Sequence, residues 1–381
     1  MERIENNMNA LNIAANIVEL RKMKGVTQEE MASFIGVTKA SVSKWENGQS
    51  MPDILLLPVL ASYFDVSVDR LLGYEPQLSK EQIQDIYRKF SKAFSEEPFE
   101  VVFERSEAYV KKYYSCYRFL SQVCVLWINH YMMADSVERR QEILNKIESL
   151  CNHITDNCKN TGICSDAAVM RACINVQMGR PERAIDELEE LINPYKMLSQ
   201  SDSLLIQAYM MKGDAEKADQ YTQMSMYLHL MELIGEAVQY IGIHMNDSEV
   251  CLTTIERIDR LIEIYELGSL LHNVVAIYQY QVAAFMCVRG NTGEALNRLK
   301  SYEKIVVDML KRPQILHGDS YFTNLDKCFE ELELGSQMVR DKKLVMNSAI
   351  SELDNPVFEP LKDMEEYKKI KKNFEDEKSR M

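Results

Sequence analysis

Apolar residues recur at steps of three and four along most of this 381-residue chain, while alternating β-branched runs are missing and Gly and Pro are sparse. That spacing gathers apolar side chains on one face of a helix, whereas a half-buried strand needs strict alternation. The pattern predicts an all-α protein. The length exceeds that of a usual single domain, which points to two domains or to one domain joined to an extended array.

The formal charge of −14 excludes a surface that coats nucleic acid or anionic membrane over its whole extent. Any nucleic-acid site is therefore local. No segment approaches the roughly 18 uninterrupted apolar residues of a membrane span, and "MERIENNMNALN" lacks the apolar stretch of a leader peptide. A cytoplasmic protein that makes no membrane contact is expected. The nine cysteines are odd in number and mostly sit among apolar residues, which suits reduced core thiols better than disulfides.

The first 75 residues carry the densest local signals. Ile13, Ile17 and Leu20 form one apolar stripe, closed by a C-terminal cap at Lys24 and Gly25. Thr27 followed by Glu30 is a capping box, and Val26 with Met31 is spaced as a hydrophobic staple, so a second helix starts near Gln28. It runs to Ile35. Gly36 then permits a tight turn, and Thr38 caps a third helix, with Val37 and Val42 again spaced as a staple. Within that helix Val42 and Trp45 face inward, which leaves Lys39, Ala40, Ser43 and Lys44 on the outer face. A helix fits the major groove of B-DNA, where Lys can donate to guanine O6 and N7 and an alanine methyl can touch thymine. Gln28 and Asn47 are spaced to donate to phosphates on either side. A solvated amphipathic helix would show the same outer face; the ordered run of neighbouring signals argues for a reading helix instead.

The stretch "TQEEMASFIGVTKASVSKWENGQSMPDILLLPVLASYFDVSVDRLLG" resembles the Cro/repressor-type helix-turn-helix domain, over about residues 10 to 74. The resemblance implies five helices, a phosphate contact at Gln28, base reading by Lys39, Ala40, Ser43 and Lys44, and backbone contacts near Thr38, Ser41 and Asn47. One feature departs from expectation: residues 1 to 74 hold seven basic and nine acidic side chains, a net of −2. Residues 21 to 48 hold five basic and three acidic, a net of +2. So local an attraction predicts weak non-specific binding and dependence on a homodimer at an inverted-repeat operator.

"GYEPQLSKEQ" combines Gly, Pro and polar residues, which marks 75–80 as a linker. Beyond it, three stretches share G-x-x-x-x-A: Gly179 with Ala184, Gly213 with Ala218, and Gly290 with Ala295. The first two glycines are 34 residues apart, a further 34 lands on Asp247, and the next step to Gly290 is 43. A period of this size marks helix pairs that bury their faces only by stacking. Asn246 or Asp247 is expected to replace the turn glycine, since both tolerate the left-handed conformation. These units resemble tetratricopeptide repeats and imply a concave superhelix, an α-solenoid over residues 81–358. Leu361, Met364, Tyr367, Ile370 and Phe374 then suggest a charged capping helix within 359–381.

Candidate chemistry is sparse. "CNHITDNCKNTGIC" holds soft ligands without the C-x2-4-C pairs that zinc favours, and the common catalytic and nucleotide-binding motifs are absent. Neither a metal nor another cofactor is expected, no catalytic residue is assigned, and an enzyme is not expected. Under the repeat geometry, positions on the inner helices include Asn129, Gln207 and Tyr240, each six residues before an expected turn at Asp135, Gly213 and Asn246, with Gln177 and Gln281 at other inward positions. Amides can both donate to and accept from a peptide backbone, although they serve equally in contact with water or another helix.

The joined architecture resembles the peptide-responsive quorum-sensing regulators of Gram-positive bacteria. The resemblance implies a transcriptional regulator whose array dimerises and takes a short signalling peptide at Asn129, Gln177, Gln207, Tyr240 and Gln281. A ligand-independent repressor whose array is a dimerisation or protein-interaction scaffold stays open as the alternative.

Overall fold

The computed structural model describes residues 13–74, 77–191, 201–312 and 316–381. The first twelve residues and residues 75–76 of the expected linker lie outside the described residues. Every regular element among the described residues is helical. The chain divides into two compact units, one running to Leu78 and including Lys112–Cys116, the other comprising Ser79–Lys111 and Tyr117–Met381.

In the first unit α1 (Ile13–Lys24), α2 (Gln28–Ile35), α3 (Lys39–Glu46), α4 (Leu57–Phe64) and α5 (Val68–Leu72) follow in order. Their starts are set by side-chain caps. Thr27 and Glu30 close a capping box, with the Thr27 amide donating to Glu30 Oε2 at 2.7 Å and the Glu30 amide to Thr27 Oγ1 at 3.2 Å. Thr38 accepts from the Ser41 amide, and Ser67 from that of Arg70. Gly36, at φ +80°, ends α2 in the left-handed conformation, and this fixes the angle at which α3 departs. Ile17, Met31, Val42, Leu60 and Leu71 are fully buried where the five helices meet. Burial of each such side chain stabilises by about 1.5–3 kcal/mol, so a small unit can hold a rigid α3.

The second unit begins with α6 (Lys80–Glu96), capped by Ser79. It continues through α7 (Phe99–Lys112), α8 (Tyr117–His130), α9 (Val137–Asn157), α10 (Thr161–Gln177), α11 (Pro181–Leu191), α12 (Ser201–Lys212) and α13 (Ala215–Ile243). After these come α14 (Ser248–Ile264), the single turn α15 (Leu267–Leu270), α16 (His272–Val288) and α17 (Thr292–Lys311). The unit closes with α18 (Leu325–Glu331), α19 (Lys342–Glu352) and α20 (Glu365–Ser379).

Gly179, Gly213 and Gly290 sit at helix junctions with φ of +67°, +82° and +74°. Five residues later Ala184, Ala218 and Ala295 are all buried, so the small side chain lies at the helix crossing. The expected fourth turn differs. Asp247 has φ −103° and caps α14 by accepting from the Glu249 and Val250 amides. Its carboxylate satisfies the first-turn donors directly, which removes the need for a left-handed residue. The period also breaks there because the 29 residues of α13 run as one helix. Tyr367, Ile370 and Phe374 of α20 are buried, with Phe374 against Tyr302 of α17.

All nine cysteines are free thiols, and Cys116, Cys124, Cys151, Cys251 and Cys287 are buried. No helix among the described residues is long and apolar enough to cross a membrane. Among the same residues, no group of three or more His, Cys, Asp or Glu side chains is placed to hold a metal ion.

Candidate nucleic-acid interface

The helix-turn-helix is α2, the Gly36 turn and α3. Val42 and Trp45 anchor α3 in the core of the first unit, so the rest of its surface turns outward. Thr38, Lys39, Ala40, Lys44 and Asn47 are exposed, and Ser41 and Ser43 are half-buried. Thr38 is committed to capping; its Oγ1 also lies 2.9 Å from Ser41 Oγ. Lys39 Nζ is 3.3 Å from Glu29 Oε2 of α2, and both side chains are well exposed, so water and salt screen this pair and leave the ammonium available. Asn47 Nδ2 donates to Ser43 Oγ at 3.4 Å.

Behind this face is a polar cluster that the sequence reading did not single out. Arg21 of α1 donates to the Glu46 carboxylate at the end of α3, from Nε to Oε1 at 2.5 Å and from Nη2 to Oε2 at 3.0 Å. Its Nη1 donates to the Val26 carbonyl at 2.9 Å. Gln28 at the start of α2 donates from Nε2 to Glu46 Oε2 at 2.9 Å. Three helices are thus joined through one carboxylate. Burial would raise the Glu46 pKa, but hydrogen bonds from Arg21 and Gln28 and the Arg21 charge outweigh it and hold the carboxyl below its ordinary value. The hydrogen bond to Glu46 raises the Arg21 pKa against the opposing effect of burial. Gln28 therefore spends one of its two amide protons on Glu46. Of its members only Gln28 is marked in the sequence, as an expected phosphate donor, while Arg21 and Glu46 read as polar positions beside apolar stripes.

The inward residues expected in the array fall on separate helices. Asn129 on α8 turns its Nδ2 onto the Val125 carbonyl at 2.9 Å, and Gln177 on α10 turns its Nε2 onto Cys173 Sγ at 3.6 Å. Gln207 on α12 is exposed. Tyr240 on α13 is half-exposed with its ring 4.5 Å from that of His244. Gln281 on α16 reaches across to α13, where its Nε2 lies 3.6 Å from the position a Cβ on Gly242 would take.

The geometry of residues 13–74 defines a helix-turn-helix unit, and a helix-turn-helix family model matches residues 17–71. An uncharacterised helix-turn-helix transcriptional regulator of Bacillus subtilis, YobD, is 36% identical over 80 residues, 21% of this chain and 68% of its own. The prophage-derived regulator YonR of the same organism is 31% identical, over 20% of this chain and 91% of its own. The chain belongs to this family of helix-turn-helix transcriptional regulators. It is also 37% identical to the transcriptional activator BcrR of Enterococcus faecalis over 57 residues, which is 15% of this chain and spans only 28% of BcrR. Among solved structures the chain has a distant likeness to Bacillus thuringiensis PlcR, solved with the peptide PapR7 and DNA, at 16% identity. That match covers 79% of this chain and 96% of PlcR with a TM-score of 0.29, a value too low to bear on function. The same holds for the apo competence regulator ComR of Streptococcus vestibularis, at 13% identity and a TM-score of 0.22 over 85% of this chain and 98% of ComR.

Proposed function

We propose that the chain regulates transcription by reading duplex DNA with the outer face of α3, as a homodimer on an inverted repeat, in the cytoplasm. The observation that carries this reading is the exposed set Lys39, Ala40 and Lys44 on a helix whose opposite side is locked by Val42, Trp45 and Glu46. Side chains that read base edges must be held in register, and a rigid support supplies that. Selection of bound duplexes from a random pool, followed by footprinting, tests it. A recovered consensus with two-fold symmetry is the expected result, and recovery of no consensus would overturn the reading.

The array is proposed to hold a short signalling peptide and to couple its binding to the DNA-binding state. Support comes from the recurrent glycine turns, which build a stacked surface, and from the amides of Gln207 and Gln281 on it. Titration of operator affinity with candidate peptides decides between this and a scaffold that needs no ligand.

A further inference from the structure

A stacked helical array ordinarily makes contacts only between neighbouring repeats. Here a segment between α17 and α19 returns to the start of the unit. Its first part is anchored on α13: Phe329 is buried with its ring 5.2 Å from that of Tyr227, and the Asn324 main-chain amide donates to Gln223 Oε1 at 2.9 Å. The next ten residues, 332–341, have no regular secondary structure and run along α6. Lys80, Gln84, Tyr87 and Ser91 lie at steps of four, three and four on α6, one face of the helix. Gln84, Tyr87 and Ser91 donate to main-chain carbonyls of this segment, and Lys80 donates just before it, to the last turn of α18. Lys80 Nζ reaches Glu330 O at 2.6 Å and Gln84 Nε2 reaches Glu333 O at 2.9 Å. Tyr87 Oη and Ser91 Oγ both reach Val339 O, at 2.9 and 3.3 Å. Arg118 of α8 adds an ion pair to Glu333 at 2.7 Å.

Carbonyls are common to every peptide, so a row of side-chain donors that engages them reads main chain rather than sequence. We propose that the α6 row is a binding site for non-helical peptide, that residues 332–340 occupy it in cis as a releasable latch, and that a peptide in trans competes for it. Two buried polar atoms weaken the seat of the latch. Glu333 Oε2 and Arg340 Nε are buried without a hydrogen-bond partner, which offsets part of what the carbonyl contacts contribute. Leu332 and Val339 remain more than a third exposed, and Met338 is the residue of this segment that packs, partly buried, against the main core. The latch is flanked by firm anchors, Phe329 on one side and Lys342 on the other, whose Nζ donates to Leu310 O at 2.6 Å. Neither the row nor the latch depends on a diffusible signalling peptide, since the occupant belongs to the chain itself.

The test replaces residues 332–340 of the full-length chain with Gly and Ser and titrates it with a fluorescein-labelled peptide of sequence 329–341. Saturable binding at least ten-fold tighter than to the intact chain is expected. Adding Gln84→Ala and Tyr87→Phe should weaken it by about five-fold per lost hydrogen bond. Equal binding to both chains, or none to a replaced chain that keeps its helical circular dichroism, would overturn the proposal. Hydrogen exchange of the intact protein gives an answer should the replaced chain not fold. Amides of 332–340 are expected to exchange at least ten-fold faster than those of α13 and α16, and faster again in Gln84→Ala/Tyr87→Phe with the core unchanged. Exchange of the segment at the rate of those core helices would show a fixed part of the core and sink the latch.

Discussion

Arg21 and Glu46, 25 residues apart, form a two-point ion pair that ties the first helix to the end of the third, with Gln28 of the second helix on the same carboxylate. The Arg21 and Glu46 side chains are 15% and 6% exposed, so water does little of the solvation. Removing either partner strands a charge in a poorly solvated place. Glu46→Ala should therefore cost about 1.5–3 kcal/mol, the usual worth of hydrogen bonds to charged groups, as read by urea unfolding.

The same carboxylate sets a pH dependence. Its folded-state pKa is lowered, so the folded state binds fewer protons than the unfolded one as the pH falls through the ordinary carboxylate range. The stabilisation is fully present above that range and is lost as the pH drops toward the folded-state value. Melting of Glu46→Gln should accordingly show a shallower acid limb than wild type between about pH 5 and pH 3. Parallel limbs would mean that the pair contributes nothing to acid stability.

On the reading face, Lys39→Ala and Lys44→Ala should each cost about 1–3 kcal/mol on the operator and relax the preference at one base position. The Lys39 contact with Glu29 is exposed and weak, so it should not mask the effect. Gln28→Ala should weaken all sequences alike through phosphate, and it should also lower stability because Glu46 loses a donor. Competition footprinting with matched and mismatched duplexes separates base readers from the general contact. An unchanged footprint for the double lysine variant would place the reading surface elsewhere.

Much of this unit is legible from the sequence because its signals are local. Thr27 and Glu30 cap within one turn, Gly36 needs only its own φ, and Val42 and Trp45 follow helical spacing. The Arg21–Glu46 pair depends on how α1 and α3 cross, which no local pattern encodes. The array shows the same divide. Its glycine turns and the alanines five residues on are visible, whereas Asp247 takes an N-cap geometry because side-chain capping satisfies the donors another way. The α6 donor row reads in sequence as one more polar edge of an amphipathic helix. Its partner carbonyls lie about 250 residues away.

Two glycines offer an internal control on the turns. Gly290 has φ +74° and open space around a built Cβ, so Gly290→Ala meets no clash and costs only the left-handed backbone, about 1–2 kcal/mol. Gly235 lies inside α13 with equally open space and no positive φ. Gly235→Ala should stabilise by about 0.5–1 kcal/mol through the unfolded state. Thermal melts of the two variants should therefore shift in opposite directions.

The proposed homodimer follows from charge. Residues 21–48 carry a net of only +2, and a single such face should hold DNA weakly in salt. Two copies related by a two-fold axis double the contacts and require a symmetric site, with half-site centres about 34–36 Å apart or a multiple of that. Sedimentation at micromolar concentration should give a dimer, and spacer variants of half a helical turn should abolish tight binding. A monomer that binds one to one with undiminished affinity would exclude it.

The proposed peptide response demands differential affinity, because a ligand shifts DNA binding only if it prefers one arrangement of the array over another. A coupling of about 1–3 kcal/mol changes operator affinity about 5- to 150-fold. Gln207 is exposed and free to meet a peptide backbone, whereas Asn129 must first give up the hydrogen bond to its own helix at Val125. Gln207→Ala should thus weaken the peptide more than Asn129→Ala, while both leave unliganded operator binding near normal. The measurement is operator affinity titrated with fractionated culture supernatant or synthetic peptides, in wild type and both variants. A shift in wild type that shrinks in Gln207→Ala supports the assignment. If no fraction moves either operator affinity or the melting temperature, the array is a scaffold and the response belongs to a protein partner.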